Sequence, residues 1–556
     1  MECGAEEVLE FLLLYRIRAN LRGRSKETMA LLLGSSMLLC GHSWSLRPQR
    51  WRSSKIQRAS IPLEICGYEK KRLPSRAERY LHSHRAAAVP VIARNVSTVS
   101  SSLDVSNYDA KKVESLISSL GISGDSLVVK PEPVQSGIGL VAKRELRKGE
   151  ELLAIPRKSW ITVETVKQSP IGKAVEGQRP WVCLALFLLS ERNNLNSPWK
   201  SYLELLPAQL NSTLFWSDEE LGELQGTQLL GSTLAFKQYV QNEFERIRIE
   251  VLAPYMALFD PSVFTMEAFS WAFGILRSRT FAPLTGEDLA LVPLADFVNH
   301  GTIESDGKPS WEVRRGTGLF GSQDTLVLKA SRNFQAGEEV VMDYGSEKGH
   351  GQLALEYGFV ESVEVSAAAF VQSQTKDCFS LTLEIPEGDR FTDDKLDIAE
   401  ISGYGASVSF DITPGQGPPE DMLTYLRLMV LDGPDAFLLE ALFRAAAWDH
   451  ISLPVSKENE EAVCTAMLDG CRAALDGYST TIDEDVRMLE AGIEDPRLQV
   501  AVVVRLGEKR VLRELQGWFE AHSARLDQLE YYAERRLRDL GLIDDRGYMT
   551  PWVFKG

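Results

Sequence analysis

The stretch LALVPLADFVNH (Leu289–His300) decides how this chain is read. An apolar run from Leu289 to Leu294 breaks abruptly into Asp296, Asn299 and His300. About 40 residues on, a second apolar strand candidate, VVMDYG (Val340–Gly345), ends in Asp343-Tyr344-Gly345. Strands that break into polar residues at their ends are where sites are built. Two further segments frame this pair, ILRSRTF (Ile275–Phe281) before it and ALEYGF (Ala354–Phe359) after it.

Working outward, 556 residues exceed one core, and about two to four domains are expected. The chain is 44% apolar and 25% charged, a soluble globular composition. Its net charge of −17 argues against a general nucleic-acid binder, because no basic field covers it. The charge is uneven: residues 1–100 carry 17 Lys+Arg against 8 Asp+Glu, so the rest holds −26. Between Arg24 and Leu63 the only acid is Glu27. A basic, Ser-rich, acid-poor leader over residues 1–105 reads as an organellar transit peptide. FLLLY (Phe11–Tyr15) and MALLL (Met29–Leu33) are too short to span a bilayer, so no membrane role is expected. The seven Cys are scattered without a CxxC pair, which predicts neither a disulfide framework nor a zinc site. Cys464 and Cys471 sit at helical spacing and are expected in a core.

Strand signals begin at Leu127 and run through GIGLVAKREL, with a turn at Arg147-Lys148-Gly149 before EELLAIP. On spacing alone, Gly137 and Gly139 fit a bulged hairpin. A short helix is expected at Asp109–Leu120. From Trp181 the pattern turns helical, with Ser217 as an N-cap ahead of Glu219 and Glu220. This helical block, about 185–277, looks like an insertion inside a β domain. Strands resume at Ala290–Leu294, Ser310–Val313, Thr325–Ala330 and Glu338–Met342, with a further strand at Ser380–Glu384. The turn before Glu338 echoes the RKGEELL turn upstream. Beyond about residue 390 the pattern is helical, with a capping box at Thr481-x-x-Glu484. It closes on one long helix striped by Leu512, Leu515, Phe519, His522, Leu526, Leu529 and Ala533.

With these residues in view, the chain resembles the SET-domain lysine methyltransferases. It looks most like the plant chloroplast branch that methylates the Rubisco large subunit and fructose-bisphosphate aldolase. GIGLVA, WAFGILRSRTF, VPLADFVNH, AGEEVVMDYG, LALEYGF and LDQLEYYAERRLRDLGL carry the likeness. It covers roughly residues 125–545. The resemblance implies an α+β multidomain fold: a β-rich SET domain (125–365) with a pseudoknot-like crossing and a helical insertion. An all-α substrate-binding domain (366–545) then follows. It also implies S-adenosylmethionine as cofactor, the chloroplast stroma as location, and a monomer that acts on a protein and binds no nucleic acid.

The chemistry that this implies is specific. An amine must be neutral to accept a methyl group, and free Lys has a pKa of ~10.4. An apolar channel favours the neutral form. By the resemblance, Tyr344 is the phenol at that channel and Tyr357 a second aromatic beside it. Asn299 and His300 hold the cofactor through side-chain amide and backbone contacts. Arg279 lies near the cofactor carboxylate and the substrate channel, a role suited to a guanidinium. Phe281 lines the lysine channel, and Asp296 holds the lysine region or braces the Asn-His turn. Ser136, Gly137 and Ile138 offer backbone contacts to the adenosine; Ser136 stands where the family often has an acid. Gly301 follows the Asn-His pair where many histone-directed SET enzymes have Cys. No metal is required. Two rival readings remain: the same family with another lysine or histidine target, and a catalytically silent binder.

Overall fold

The computed structural model describes residues 108–122, 124–284, 288–301, 310–316, 324–361, 376–440 and 442–543. The expected leader, 1–105, lies outside them. Helix α1 (Ala110–Ser119) starts at Asp109, whose carboxylate accepts the Lys111 N–H. Strands β1 (Val129–Val134) and β2 (Gly137–Ala142) form a hairpin. Its register is unbroken from Val129↔Ala142 to Val134↔Gly137, so the glycines mark no bulge. Gly137, at φ 112°, closes the turn. Gly139 serves a different purpose: a Cβ there would lie 2.5 Å from Glu339 Oε1 and 3.0 Å from Asn299 Nδ2. The missing side chain is the space those two groups use.

The chain continues through β3 (Glu151–Pro156), β4 (Ile161–Thr162) and α2 (Val163–Lys167). Five helices then run without an intervening strand: α3 (Pro180–Asn193), α4 (Lys200–Leu203), α5 (Asp218–Gly222), α6 (Gln228–Ile247) and α7 (Met266–Arg279). Ser217 caps α5 in a reciprocal box with Glu220. Helix α7 feeds directly into β5 (Thr280–Leu284), followed by β6 (Asp288–Leu291), β7 (Asn299–His300), β8 (Trp311–Arg314), β9 (Thr325–Lys329), β10 (Glu339–Met342) and α8 (His350–Glu356). The expected strand at Ala290–Leu294 is shorter, because Leu294 turns the chain.

Three small sheets result, ordered β1-β2-β10-β7, β3-β9-β8 and β4-β6-β5. Strand β10 runs antiparallel to β2 but parallel to β7. That parallel pair, Val341↔Asn299 and Met342↔His300, joins the two stretches that open the sequence reading. The two echoing turns also match. Gly149 and Gly337 take φ of 81° and 83°, and Glu150 and Glu338 each accept the N–H three residues upstream.

The C-terminal region holds β11 (Phe379–Glu384), α9 (Thr392–Ile401), β12 (Ser407–Ile412), α10 (Glu420–Met429), α11 (Ala447–Ile451), α12 (Lys457–Asp476), α13 (Ile482–Ala491), α14 (Pro496–Ser523) and α15 (Tyr532–Asp539). It is helical as expected, with one addition to the all-α description: β11 and β12 pair antiparallel along six residues each. The capping box at Thr481 and Glu484 is present, and Cys464 and Cys471 are both buried. The long final helix is corrected: it ends at Ser523 and restarts at Tyr532. Leu512 to Leu526 of the stripe are buried, whereas Ala533 is exposed. Tertiary bonds hold the break, with Tyr532 N–H donating to Val455 O (3.1 Å) and the Tyr531 hydroxyl to Leu526 O (2.6 Å).

An apolar seam joins the two regions, with Trp216, Leu221 and Leu229 from the insertion, Leu355 and Val360 around α8, and Val500, Val503 and Val504 from α14. Beside it Arg505, fully buried, binds Asp485 and both the carboxylate and carbonyl of Glu223. Lys509 gives its three protons to Asp485 Oδ2 (2.6 Å), Thr480 O and Thr480 Oγ1.

Candidate active site

Leu294 is the only non-glycine residue at positive φ among the described residues (75°, ψ −40°). That conformation lies near the strained γ-turn and costs of order 1 kcal/mol or more. It persists because Leu294 is completely buried in the SET core. The turn throws Asp296 inward and starts β7 at Asn299.

The Asp296 side chain is fully enclosed. Its Oδ2 accepts the Tyr202 hydroxyl at 2.8 Å and Arg279 Nη1 at 3.2 Å, and the same Nη1 donates to Asp296 O at 3.1 Å. Its Oδ1 is buried with no partner among the described residues. Burial raises the Asp296 pKa, opposed by the Arg279 charge and the Tyr202 hydrogen bond. Arg279 therefore spends one nitrogen on Asp296. Its remaining N–H edge has no described partner.

Asn299 turns its amide into the sheet: Nδ2 donates to Glu339 Oε1 (2.8 Å) and Ile138 O (3.3 Å). Its Oδ1 carries no bond among the described residues. His300 sits one residue on. Its Nδ1 accepts the Tyr344 N–H at 3.2 Å, so the ring proton lies on Nε2 and faces Glu361 Oε1 at 3.3 Å. That bond is the main cause holding Glu361 down to about 2. The parallel β7–β10 pair is what makes these contacts possible.

Tyr344 donates its hydroxyl proton to Val298 O at 2.8 Å. Burial pushes its pKa well above the usual phenol range, with Tyr357 adding to the rise. At neutral pH the group is thus a neutral phenol with its proton committed and its lone pairs open. Tyr357 lies 4.6 Å from the Tyr344 ring, centre to centre; Phe359 is 5.2 Å from His300 and 5.9 Å from Tyr357. Lys348 reaches the same corner, donating to Tyr357 Oη at 3.2 Å and pairing with Glu356.

Of the residues expected in the site, Arg279, Asp296, Asn299, His300, Tyr344 and Tyr357 thus lie in one connected group. Gly137 and Ile138 flank it through the Ile138 carbonyl, and Ser136 is half-buried in the hairpin turn just before them. Phe281 is buried in the core, edge-on to Trp311 at 5.6 Å. Arg277 stacks over Phe236 at 4.2 Å. Sequence reasoning missed Tyr202, Glu339, Glu361 and Phe359. Phe359 closes the quoted ALEYGF and Glu339 lies in AGEEVVM, so position beside a quoted motif would have found these two. Tyr202, in WKSYLELL, carries no such signal.

Fold and site together define a SET-domain protein with a helical partner region. A SET domain family model matches residues 137–345, and a Rubisco LSMT substrate-binding model matches residues 386–512. A chloroplastic Rubisco large subunit N-methyltransferase of Nicotiana tabacum is 46% identical over 78% of this chain and 86% of its own length. A chloroplastic fructose-bisphosphate aldolase-lysine N-methyltransferase of Arabidopsis thaliana is 46% identical over 78% and 87%. A solved SET domain of LSMT, bound to lysine and AdoHcy, aligns at TM-score 0.71 and 42% identity, covering 79% of this chain and 97% of that one. The chain belongs to this family of SET-domain protein-lysine N-methyltransferases.

Proposed function

We propose that the protein transfers a methyl group from S-adenosylmethionine to a lysine ε-amine of a chloroplast protein, either Rubisco large subunit or plastid fructose-bisphosphate aldolase. The observation that carries this is the β7–β10 pair, which brings Asn299-His300 against Tyr344. The residues present fit the cofactor: Arg279 keeps an unspent edge for a carboxylate, and Asn299 Oδ1 and the backbone around Ser136, Gly137 and Ile138 are available to it. When bound, S-adenosylmethionine supplies an electrophilic methyl on a sulfonium.

The protein's own residues do the rest. Entering the half-buried corner of Tyr344, Tyr357 and Phe359 costs an ammonium its water, and that desolvation favours the neutral amine. The Tyr344 oxygen, its proton committed to Val298 O, accepts an amine N–H and aims the lone pair. Asp296, enclosed behind the channel, holds Arg279 at it through Oδ2 and its backbone carbonyl. Neither Tyr344 nor Asp296 needs to act as a strong base.

We assign residues 1–105 to a transit leader, 125–365 to the SET domain with its insertion, and 366–545 to the substrate-binding region. Both relatives are named chloroplastic, which supports the chloroplast; within it we propose the stroma, with a monomeric protein. Among the described residues no helix is long and apolar enough to cross a membrane. Incubation with methyl-labelled S-adenosylmethionine and purified Rubisco or plastid aldolase tests the reading. Label on a lysine of either protein is expected. Cofactor binding without any labelled protein, or label on histidine, overturns it.

A further inference from the structure

We propose that Tyr202, from the helical insertion, is a positioning residue for methyl transfer: its hydroxyl keeps Asp296 ionised and oriented, and Asp296 in turn fixes Arg279. The inference rests on the reading above for its activity arm only. Tyr202 lies on α4, 94 residues from Asp296, and is completely buried. Its ring sits 6.3 Å from that of Phe297, so packing alone would place the ring, whereas the hydroxyl is spent on Oδ2.

A buried carboxylate keeps its charge only where donors and an opposite charge offset lost solvation. The groups facing Asp296 are Tyr202 from α4, Arg279 from the end of α7 and, within electrostatic reach, Tyr344 beyond β10. Among the described residues the Tyr202 hydroxyl is the one neutral side-chain donor on the carboxylate, beside the backbone N–H of Asp296 itself. Burial already raises Asp296, and the Tyr202 bond opposes that rise. Without the hydroxyl the carboxyl takes up a proton at a higher pH. The Arg279 clamp then loses its anionic partner. The insertion would thereby act on the reaction without touching substrate.

The test uses the full chain as wild type, Tyr202→Phe, Asp296→Asn and the double variant. Infrared difference spectra against Asp296→Asn isolate the carboxyl stretch of protonated Asp296. That band is expected to titrate at higher pH in Tyr202→Phe than in wild type; superimposed titrations overturn the proposal, whether or not a protein target is labelled. In the activity arm, kcat/KM is measured across pH on the protein that the wild type labels. Tyr202→Phe should lose about tenfold near pH 7. The acid limb should move to higher pH, and Asp296→Asn should lose little more when Tyr202→Phe is added. A uniform loss at every pH, or additive losses in the double variant, overturns it. Failure of the wild type to label any protein strikes the proposed function and leaves the infrared arm decisive for Tyr202.

Discussion

Two of the places where this protein buries charge treat it in opposite ways. At the joint between the insertion and α14, Arg505 and Lys509 meet Asp485 and Glu223 with every proton of the two cations placed on an oxygen or, once, on the Met488 sulfur. The four charges sum to zero and the Arg505 and Asp485 side chains see no solvent. At the candidate active site, Asp296 is equally enclosed, but among the described residues its Oδ1, the remaining edge of Arg279 and the Tyr344 lone pairs have no partner. Buried polar groups left open cost stability, so a fold tolerates them only where something else compensates. The closed network joins two regions; the open one is where we place cofactor and substrate.

The sharpest way to break this contrast is at the joint. Arg505→Leu takes the guanidinium away from Glu223 and leaves Asp485 to Lys509 and the Thr480 hydroxyl. Removing one partner of a buried pair typically costs about 3–5 kcal/mol. Denaturant unfolding should show a loss of that order, with kcat per folded molecule close to wild type; a change under about 1 kcal/mol would mean the network closes nothing. Tyr344→Phe should do the reverse. On the role proposed for Tyr344, the change removes a preorganised hydrogen-bonding group at the reacting amine, and loss of one such group typically costs about 100- to 1,000-fold in kcat. The ring and its aromatic neighbours remain, so the stability loss should stay near about 1 kcal/mol, that of the one hydrogen bond to Val298 O. Unchanged labelling by Tyr344→Phe would refute the role given to the phenol.

The same contrast explains what could be read in advance. The strand ends at Asn299-His300 and Asp343-Tyr344 were legible because an apolar run that stops in polar residues has few structural uses. The RKGE and QAGE turns were legible because each needs a glycine at positive φ, which both Gly149 and Gly337 supply. The caps at Ser217 and Thr481 follow local rules and formed as expected. The family resemblance, not periodicity, gave the reading that brings the two strand ends together. Other features come from the tertiary fold and leave no local mark. Tyr202 reads as one more apolar helix position, and its partner is 94 residues away. Nothing in VPLAD announces a positive φ at Leu294. Strand β12, SVSFDI, lies among helical text, and no Gly or Pro marks the break after Ser523.

Smaller effects test how complete the closure of the joint is. Glu508, also buried there, accepts the Gln228 N–H and the Tyr478 hydroxyl, yet burial still pushes it up to about 7. A carboxyl raised in the folded state stabilises fully below its unfolded value, near 4.5, and that stability is lost as pH rises through about 7. Its contribution can change by at most about 1.4 kcal/mol per pH unit. Unfolding measured between pH 4.5 and 7 should therefore fall more steeply for wild type than for Glu508→Gln, and parallel curves would remove Glu508 from the account. The smallest effect lies at the rim. Thr481 and Glu484 cap α13, the helix that carries Asp485 into the joint, but Thr481 is exposed and Glu484 only half-buried. Thr481→Ala loses only the cap, typically about 1 kcal/mol. If the joint is held by its buried charges, that loss should add to the Glu508→Gln effect without interaction, because the cap shares no hydrogen bond with Glu508. A coupling above about 0.5 kcal/mol in the double variant would show that rim and interior act as one unit. The boundary of the closed network would then have to be drawn at the solvent, not at Asp485.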